Sequence, residues 1–188
     1  MSGLPVVLDT RGQHCVVVGC GRAGARKLTS LIDSGASVTV IDPVGSDSLA
    51  QDHVAHVVGD QVQFLRRRWQ QTDAMGARVA VIATDDPDVN EAAAIDAKQS
   101  GSLVLRCDLP DAGDLRLPAV HRVGRVTLAV DTDGASPTLA AYLRDAAATM
   151  TEGWGELADW AAAHRPVTTA DLARKFDSIR STHQEQTT

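Results

Sequence analysis

Apolar residues gather in short uninterrupted runs, and the stretches between them alternate between glycine-bounded turns and helical periodicity. Cys15-Val16-Val17-Val18, Ala36-Ser37-Val38-Thr39-Val40-Ile41 and Val79-Ala80-Val81-Ile82-Ala83 are the length of strands, and the last is apolar enough to be buried on both faces of a parallel sheet. Residues 62–65 and 103–107 add two further strands, and residues 4–8 a short entering strand before the turn Arg11-Gly12-Gln13. A helix is predicted from about Arg22 to Asp33, closed by Ser34-Gly35 as a glycine cap. A second begins behind Asp86-Pro87-Asp88, where an aspartate cap, a first-turn proline and acids near the positive end mark a start, and it ends near Ser100-Gly101. Strands alternating with helices in this way imply an α/β fold, a Rossmann-type doubly wound parallel sheet. Beyond Asp108 the pattern changes. A loop over 109–113 precedes an extra strand over 125–130 and a helix from Ser136-Pro137 to about Met150. Two amphipathic helices, 154–164 and 169–180, follow on either side of Arg165-Pro166, and a polar tail over 181–188 is expected to fray.

The turn Gly19-Cys20-Gly21-Arg22-Ala23-Gly24 lies between the first buried strand and the first helix. Glycines there allow a tight turn, a close approach of backbone to phosphate and close packing of helix on strand, while the helix start offers free N–H groups to anionic oxygens. The next strand ends in Asp42, where a carboxylate accepts from ribose hydroxyls and repels a 2′-phosphate, so the expected cofactor is NAD rather than NADP. Open α/β sheets bind ligands at the carboxyl ends of their strands, which brings Thr84 and Asp108 to the same edge. The candidate cofactor contacts are Gly19, Gly21, Arg22, Ala23, Gly24, Asp42, the following Pro43 and Val44, and Thr84.

Composition narrows this picture. The 188 residues are 44% hydrophobic and carry a formal net charge of −6, which suits a packed domain with an appendage and argues against general nucleic-acid binding. No apolar run approaches a transmembrane length, and the N-terminus, with Asp9 and Arg11 so early, lacks a signal-peptide layout, so no membrane association and a cytoplasmic location are expected. The three cysteines show no CxxC spacing and the six histidines no HExxH, so reduced packed thiols and no metal site are expected. Arg66-Arg67-Arg68 reads as a solvated run. Arg106, Arg116, Arg122 and Arg125 crowd the middle of the chain and fit a pocket for a small polyanion.

Taken in order, these segments resemble the siroheme synthase N-terminal domain family, the precorrin-2 dehydrogenase and sirohydrochlorin ferrochelatase module. The likeness is carried by Leu4-Pro5-Val6-Val7-Leu8, by the glycine turn with Ala25-Arg26-Lys27, by Ile82-Ala83-Thr84-Asp85-Asp86 with Val89-Asn90, by Cys107-Asp108-Leu109-Pro110, by Leu117-Pro118-Ala119-Val120 and by Gly134-Ala135-Ser136-Pro137-Thr138-Leu139-Ala140. It extends to about Arg144. The resemblance implies NAD-dependent oxidation of the tetrapyrrole precorrin-2 to sirohydrochlorin, with Fe²⁺ insertion as a second activity in some members and Fe²⁺ or Co²⁺ then a substrate. It implies Asp108 as the catalytic aspartate, since removing a hydride and a proton needs a proton acceptor beside the cofactor. It aligns Ser136 with a family serine; here Ser136 reads as a helix cap whose neighbouring N–H groups can hold a substrate carboxylate. Arg106, Arg116 and Arg122 become candidate substrate contacts.

The same resemblance implies a homodimer and divides the chain into an NAD-binding domain (1–112), a dimerisation and substrate segment (113–150) and a C-terminal helical segment (151–188). Leu105, Leu115 and Asp131 depart from the family pattern. Two alternatives remain at this point: a non-catalytic NAD-binding regulatory module, which shares the glycine turn and the Ala-Thr-Asp-Asp segment but lacks the Asp108 loop, and a member acting on a different tetrapyrrole or metal.

Overall fold

A computed structural model describes residues 3–44 and 59–186. The chain divides into two compact units, Leu4–Arg116 and the chain from Leu117 onward.

The first unit is built on β1 (His14–Val18), β2 (Ser37–Ile41), β3 (Val62–Leu65), β4 (Val79–Ile82) and β5 (Leu103–Arg106), with helices α1 (Arg22–Asp33) and α2 (Pro87–Gln99) as crossovers. All neighbouring strands pair in parallel, in the order β3-β2-β1-β4-β5. The direction of strand succession therefore reverses between β1 and β4, the topological switch point of a doubly wound sheet. Alternation within each strand divides the core in two. Cys15, Val17, Val79, Val81 and Leu105 face Leu28 and Leu31 of α1, while Val16, Val18, Ala80, Ile82 and Val104 face Ala93, Ala94 and Ala97 of α2. Burying both faces is why these strands read as continuous apolar runs. Leu28, fully buried, alone contributes about 2 kcal/mol by its removal from water.

Both crossover helices end alike. The Gly35 N–H donates to the Ile32 carbonyl at 2.8 Å and the Ala36 N–H to Leu31 at 3.1 Å; the Gly101 N–H donates to Lys98 at 3.0 Å and Ser102 to Ala97 at 2.9 Å. Gly35 and Gly101 both take a φ of +80°, the left-handed conformation that this cap requires. Arg67 donates to both oxygens of Asp73 at 2.7 Å, so one member of the basic triplet braces the segment leading to β4.

Within the second unit, β6 (Ala119–Val123) and β7 (Val126–Val130) form an antiparallel hairpin with a two-residue loop at Gly124-Arg125. Helix α3 (Pro137–Ala148) packs on both strands, and α4 (Trp154–Ala163) packs on α5 (Thr169–Gln186).

Three expectations need correction. Residues 4–8 join no ladder; Leu4, Val6 and Val7 are exposed, and Pro5 has no N–H to offer a sheet. The strand β6 was not anticipated, because His121 and Arg122 obscure its alternation. The helix over 169–180 continues through Gln186 instead of fraying at 181. His183 holds it there through its ring nitrogens, 2.8 Å from Glu156 Oε1 and 3.3 Å from Glu152 Oε1.

Candidate functional site

Register brings the strand ends level. Val18 pairs with Ile41 on one side and Ile82 on the other, and Ile82 pairs with Arg106. Gly19, Asp42, Ala83 and Cys107 therefore leave the sheet together, held by bonds from Gly19 N–H to Ile41, Ala83 N–H to Val18 and Cys107 N–H to Ile82, each 2.8–2.9 Å.

The glycine turn is close-packed on its inner side and open on its outer side. Gly19 has a φ of +85°, and a β-carbon there would lie 2.7–2.8 Å from the backbone of Ala83 and Thr84. A β-carbon on Gly24 would fall inside the van der Waals contact of the Gly19 carbonyl oxygen. Nothing lies within 4 Å of the corresponding position on Gly21, which is the N-cap of α1 and makes no side-chain cap bond. Beyond it, Arg22, Ala23 and Gly24 form the first turn, with no acid among them. A phosphate fits this start: the inner glycines let the helix approach the strand, and the outer one leaves space before unclaimed N–H groups.

Asp42, 7% exposed, ties the turn to β2. Its Oδ2 accepts from the Cys20 N–H at 2.7 Å and its Oδ1 from the Val44 N–H at 2.8 Å. Each oxygen retains a lone pair for a further donor. Pro43 and Val44 are exposed beside it.

Asn90 is a site residue that sequence reasoning passed over as part of a family motif. Buried in the first turn of α2, it accepts the Thr84 hydroxyl at 2.6 Å and the Thr84 N–H at 3.1 Å through Oδ1, and donates from Nδ2 to the Thr84 carbonyl at 2.9 Å. An asparagine at a buried helical position, where propensity disfavours it, is the signal that could have found it.

Asp108 follows β5 and is 31% exposed at its side chain. Arg106 Nε donates to its Oδ1 at 2.9 Å and Arg106 Nη2 to its Oδ2 at 2.8 Å. This fork lowers the Asp108 carboxyl to about 2, with the Asn90 amide adding to the effect against partial burial. Because the folded value lies below the unfolded one, the pairing contributes stability that is full above the ordinary carboxylate range and is lost as pH falls from about 4 to about 2.

Arg106, expected among the substrate contacts, is engaged by partners within its own unit. Its side chain is 4% exposed, and its remaining terminal nitrogen, Nη1, donates to Glu91 Oε2 at 2.7 Å. The guanidinium faces carboxylates of its own unit, since a buried charge must be paired. Glu91 gave no signal in the sequence, because its partner lies 15 residues away on another element.

Arg116 is half-buried at the end of the first unit. Arg122 and Ser136 stand on the second unit. Arg122 is exposed on β6, whereas Ser136 caps α3, its hydroxyl oxygen accepting from the Leu139 N–H at 3.2 Å. Thr132 holds that cap from outside, accepting from the Ser136 N–H at 3.3 Å and donating to its carbonyl at 3.1 Å. Among the described residues no three His, Cys, Asp or Glu side chains gather as a metal site, and no helix is long and apolar enough to cross a membrane.

Comparison with known proteins follows the same lines. The chain is 38% identical over 146 residues to the siroheme synthase of Methylococcus capsulatus, covering 77% of this chain and 30% of that protein. It is 34% identical over 167 residues to the siroheme synthase of Nitrosococcus oceani, covering 88% and 35%. Against the precorrin-2 dehydrogenase of Priestia megaterium it is 29% identical over 140 residues, covering 74% and 67%. The chain thus spans about a third of the length of the siroheme synthases it matches. The solved structure of SirC, precorrin-2 dehydrogenase, has the same Rossmann-like fold, with a TM-score of 0.70 at 24% identity over 94% of this chain and 89% of that one. A family model described as "Putative NAD(P)-binding" matches residues 6–119, more than half of the chain, and the chain belongs to that family.

Proposed function

We propose that this chain binds NAD at the carboxyl end of its sheet and oxidises precorrin-2 to sirohydrochlorin. The observation that carries the proposal is the convergence, on one sheet edge, of an uncapped glycine-built helix start with two carboxylates, Asp42 and Asp108. The N–H groups of Arg22, Ala23 and Gly24 would hold the pyrophosphate. Asp42 would accept from the adenosine ribose, its charge disfavouring a 2′-phosphate, which is the ground for NAD over NADP. When bound, NAD⁺ supplies the hydride acceptor.

Asp108 then has the remaining task, taking the proton that leaves the macrocycle. Held at about 2, it is ionised throughout the physiological range, and a proton it captures passes readily to water. Its basicity is low, but a macrocycle that has lost hydride is cationic and therefore a stronger acid, so an oriented weak base suffices. The similarity to siroheme synthases and a precorrin-2 dehydrogenase supports the choice of tetrapyrrole. Metal insertion, with Fe²⁺ or Co²⁺ as substrate, belongs to the same proposal.

Self-association is its last part. On the second unit, Leu139, Tyr142 and Leu143 of α3 and the following Met150 are exposed, an apolar set that a second copy of the chain would cover.

Anaerobic incubation with precorrin-2 and NAD⁺, or NADP⁺ in parallel, tests the reaction. NADH should form in step with the sirohydrochlorin spectrum, and Asp108→Asn should slow it by about 100-fold or more with NAD⁺ affinity retained. Absence of NADH at every enzyme concentration sinks the proposal; equal use of NADP⁺ removes Asp42 as the discriminator. Fe²⁺ or Co²⁺ added to sirohydrochlorin reads metal insertion separately.

A further inference from the structure

We infer that Arg106, braced by Glu91, is the positioning residue for Asp108, its fork holding both carboxylate oxygens in one orientation at the strand ends. The inference rests on the reading of Asp108 as proton acceptor, and its geometry stands independently of that reading.

The rest of β5 gives no reason for an arginine. Val104 and Leu105 are buried apolar residues, and Arg106 is itself buried with a charge that must find partners inside the unit. It finds them through three of its nitrogens: Nε and Nη2 on Asp108, Nη1 on Glu91. A two-point contact fixes the carboxylate in the guanidinium plane, which one hydrogen bond or a point charge would not do. The third contact stops that plane from swinging, because Glu91 belongs to α2 whereas Arg106 belongs to β5. The start of α2 also supplies Asn90, which bonds Thr84 and adds to the lowering of the Asp108 carboxyl. The titratable groups around Asp108 are therefore Arg106 and Cys107 from the end of β5 and Glu91 from α2, with Lys27 and Arg26 of α1 acting on Cys107.

A structural staple between β5 and α2 would need Arg106 and Glu91 alone. The bidentate arm on Asp108 does something else: it sets the direction of the free lone pairs and keeps the group ionised. Proton capture depends on that direction, since misplacement by an ångström costs about 100-fold in rate.

Two substitutions separate charge from geometry. Arg106→Leu removes both in favour of an apolar residue, which a buried strand end accommodates; Arg106→Lys keeps the charge and loses the fork. The first readout is titration of the Asp108 carboxyl by carbon-13 NMR in aspartate-labelled protein, assigned with Asp108→Asn and needing no substrate. In the unaltered protein the group should stay ionised down to about 2. In Arg106→Leu it should titrate well above that, toward the ordinary carboxylate range, because the largest lowering influence is gone while partial burial remains, and in Arg106→Lys between the two.

The second readout is turnover of precorrin-2 with NAD⁺. Its kcat should fall by about 10-fold or more in both variants, with KM for NAD⁺ unchanged, because lysine cannot replace the fork. Should Arg106→Leu fail to fold, Arg106→Lys and Glu91→Gln carry the same measurements. An unshifted Asp108 titration in the Leu variant, or full turnover in the Lys variant, overturns the inference. If the unaltered protein forms no NADH, the functional reading falls, while the NMR titration still decides the Arg106 clamp.

Discussion

Two strand-to-helix crossings leave the same edge of the sheet and are built from nearly identical parts. Each begins with an apolar strand buried on both faces, and each ends in a glycine cap with the same pair of backbone bonds. Their helix starts differ. At α2, Asp86 accepts from the Asp88 and Val89 N–H groups at 3.0 and 3.3 Å, Pro87 has no N–H, and Asp88 places a negative charge in the first turn. At α1, a glycine occupies the cap, no side chain accepts from the first turn, and no acid stands within that turn. One positive helix end is satisfied by its own sequence, and the other is left for an acceptor from outside. The comparison locates function in the difference between two copies of one device, where the fold alone makes no distinction.

The sharpest way to break the comparison is to fill the inner side of the α1 crossing. Gly24→Ala would drive a methyl group into the Gly19 carbonyl, and Gly19→Ala would place one against the Ala83 and Thr84 backbone while holding a φ of +85°. Neither clash is relieved by turning a side chain, so each should cost about 3 kcal/mol or more in urea unfolding and take NAD⁺ binding with it. Gly21→Ala is the control from the same turn. It meets nothing within 4 Å, and its φ of −64° suits any residue, so stability should change by less than about 1 kcal/mol while NAD⁺ affinity drops. Equal stability of all three variants would show that the close approach of α1 to β1 does not hold the turn in shape.

Asp42 belongs to the open crossing too, and its removal should have the next largest effect. Asp42→Ala strips acceptors from the Cys20 and Val44 N–H groups, a loss of about 1–3 kcal/mol. NAD⁺ affinity should weaken by about 10- to 100-fold in calorimetric titration, as a charge-assisted bond to ribose is lost. Unchanged affinity would mean that the ribose is held elsewhere and that Asp42 serves only to pin the turn to β2.

Much of this contrast is legible in the amino-acid order, because it depends on neighbours along the chain. The glycine turn, the Asp86-Pro87 start, both glycine caps and the Ser136 cap each depend on residues within a few positions of one another, where local sterics and local hydrogen bonds decide the structure. The parts that were not legible depend on partners far away in sequence. The apolar residues 4–8 look like a strand, but a strand needs a ladder, and none is available to them among the described residues. Arg106 reads as a candidate ligand contact, and its pairing with Glu91, on another element, has no signal along the chain. Residues 181–186 are polar enough to fray, yet His183 is met by Glu152, just before the preceding helix, and by Glu156 in its first turn. Asn90 reads as a helix residue, and only its burial against Thr84 makes it part of the site.

The smallest effect is expected where the other crossing is opened. Asp86→Ala removes the acceptor for two N–H groups at the start of α2 and should cost about 1 kcal/mol, the usual value of an N-cap. It leaves Pro87 and Asp88 in place, so the newly freed helix end still has one fewer donor than α1 and a repelling charge beside it. NAD⁺ affinity should therefore remain within about twofold of the unaltered protein, even though a second uncapped helix end now stands on the same sheet edge. A loss as large as that of Asp42→Ala would mean that the cofactor engages α2 as well, through Thr84 and the loop that Asp86 closes. The two crossings would then form one binding surface, and the open start of α1 would no longer account for recognition by itself.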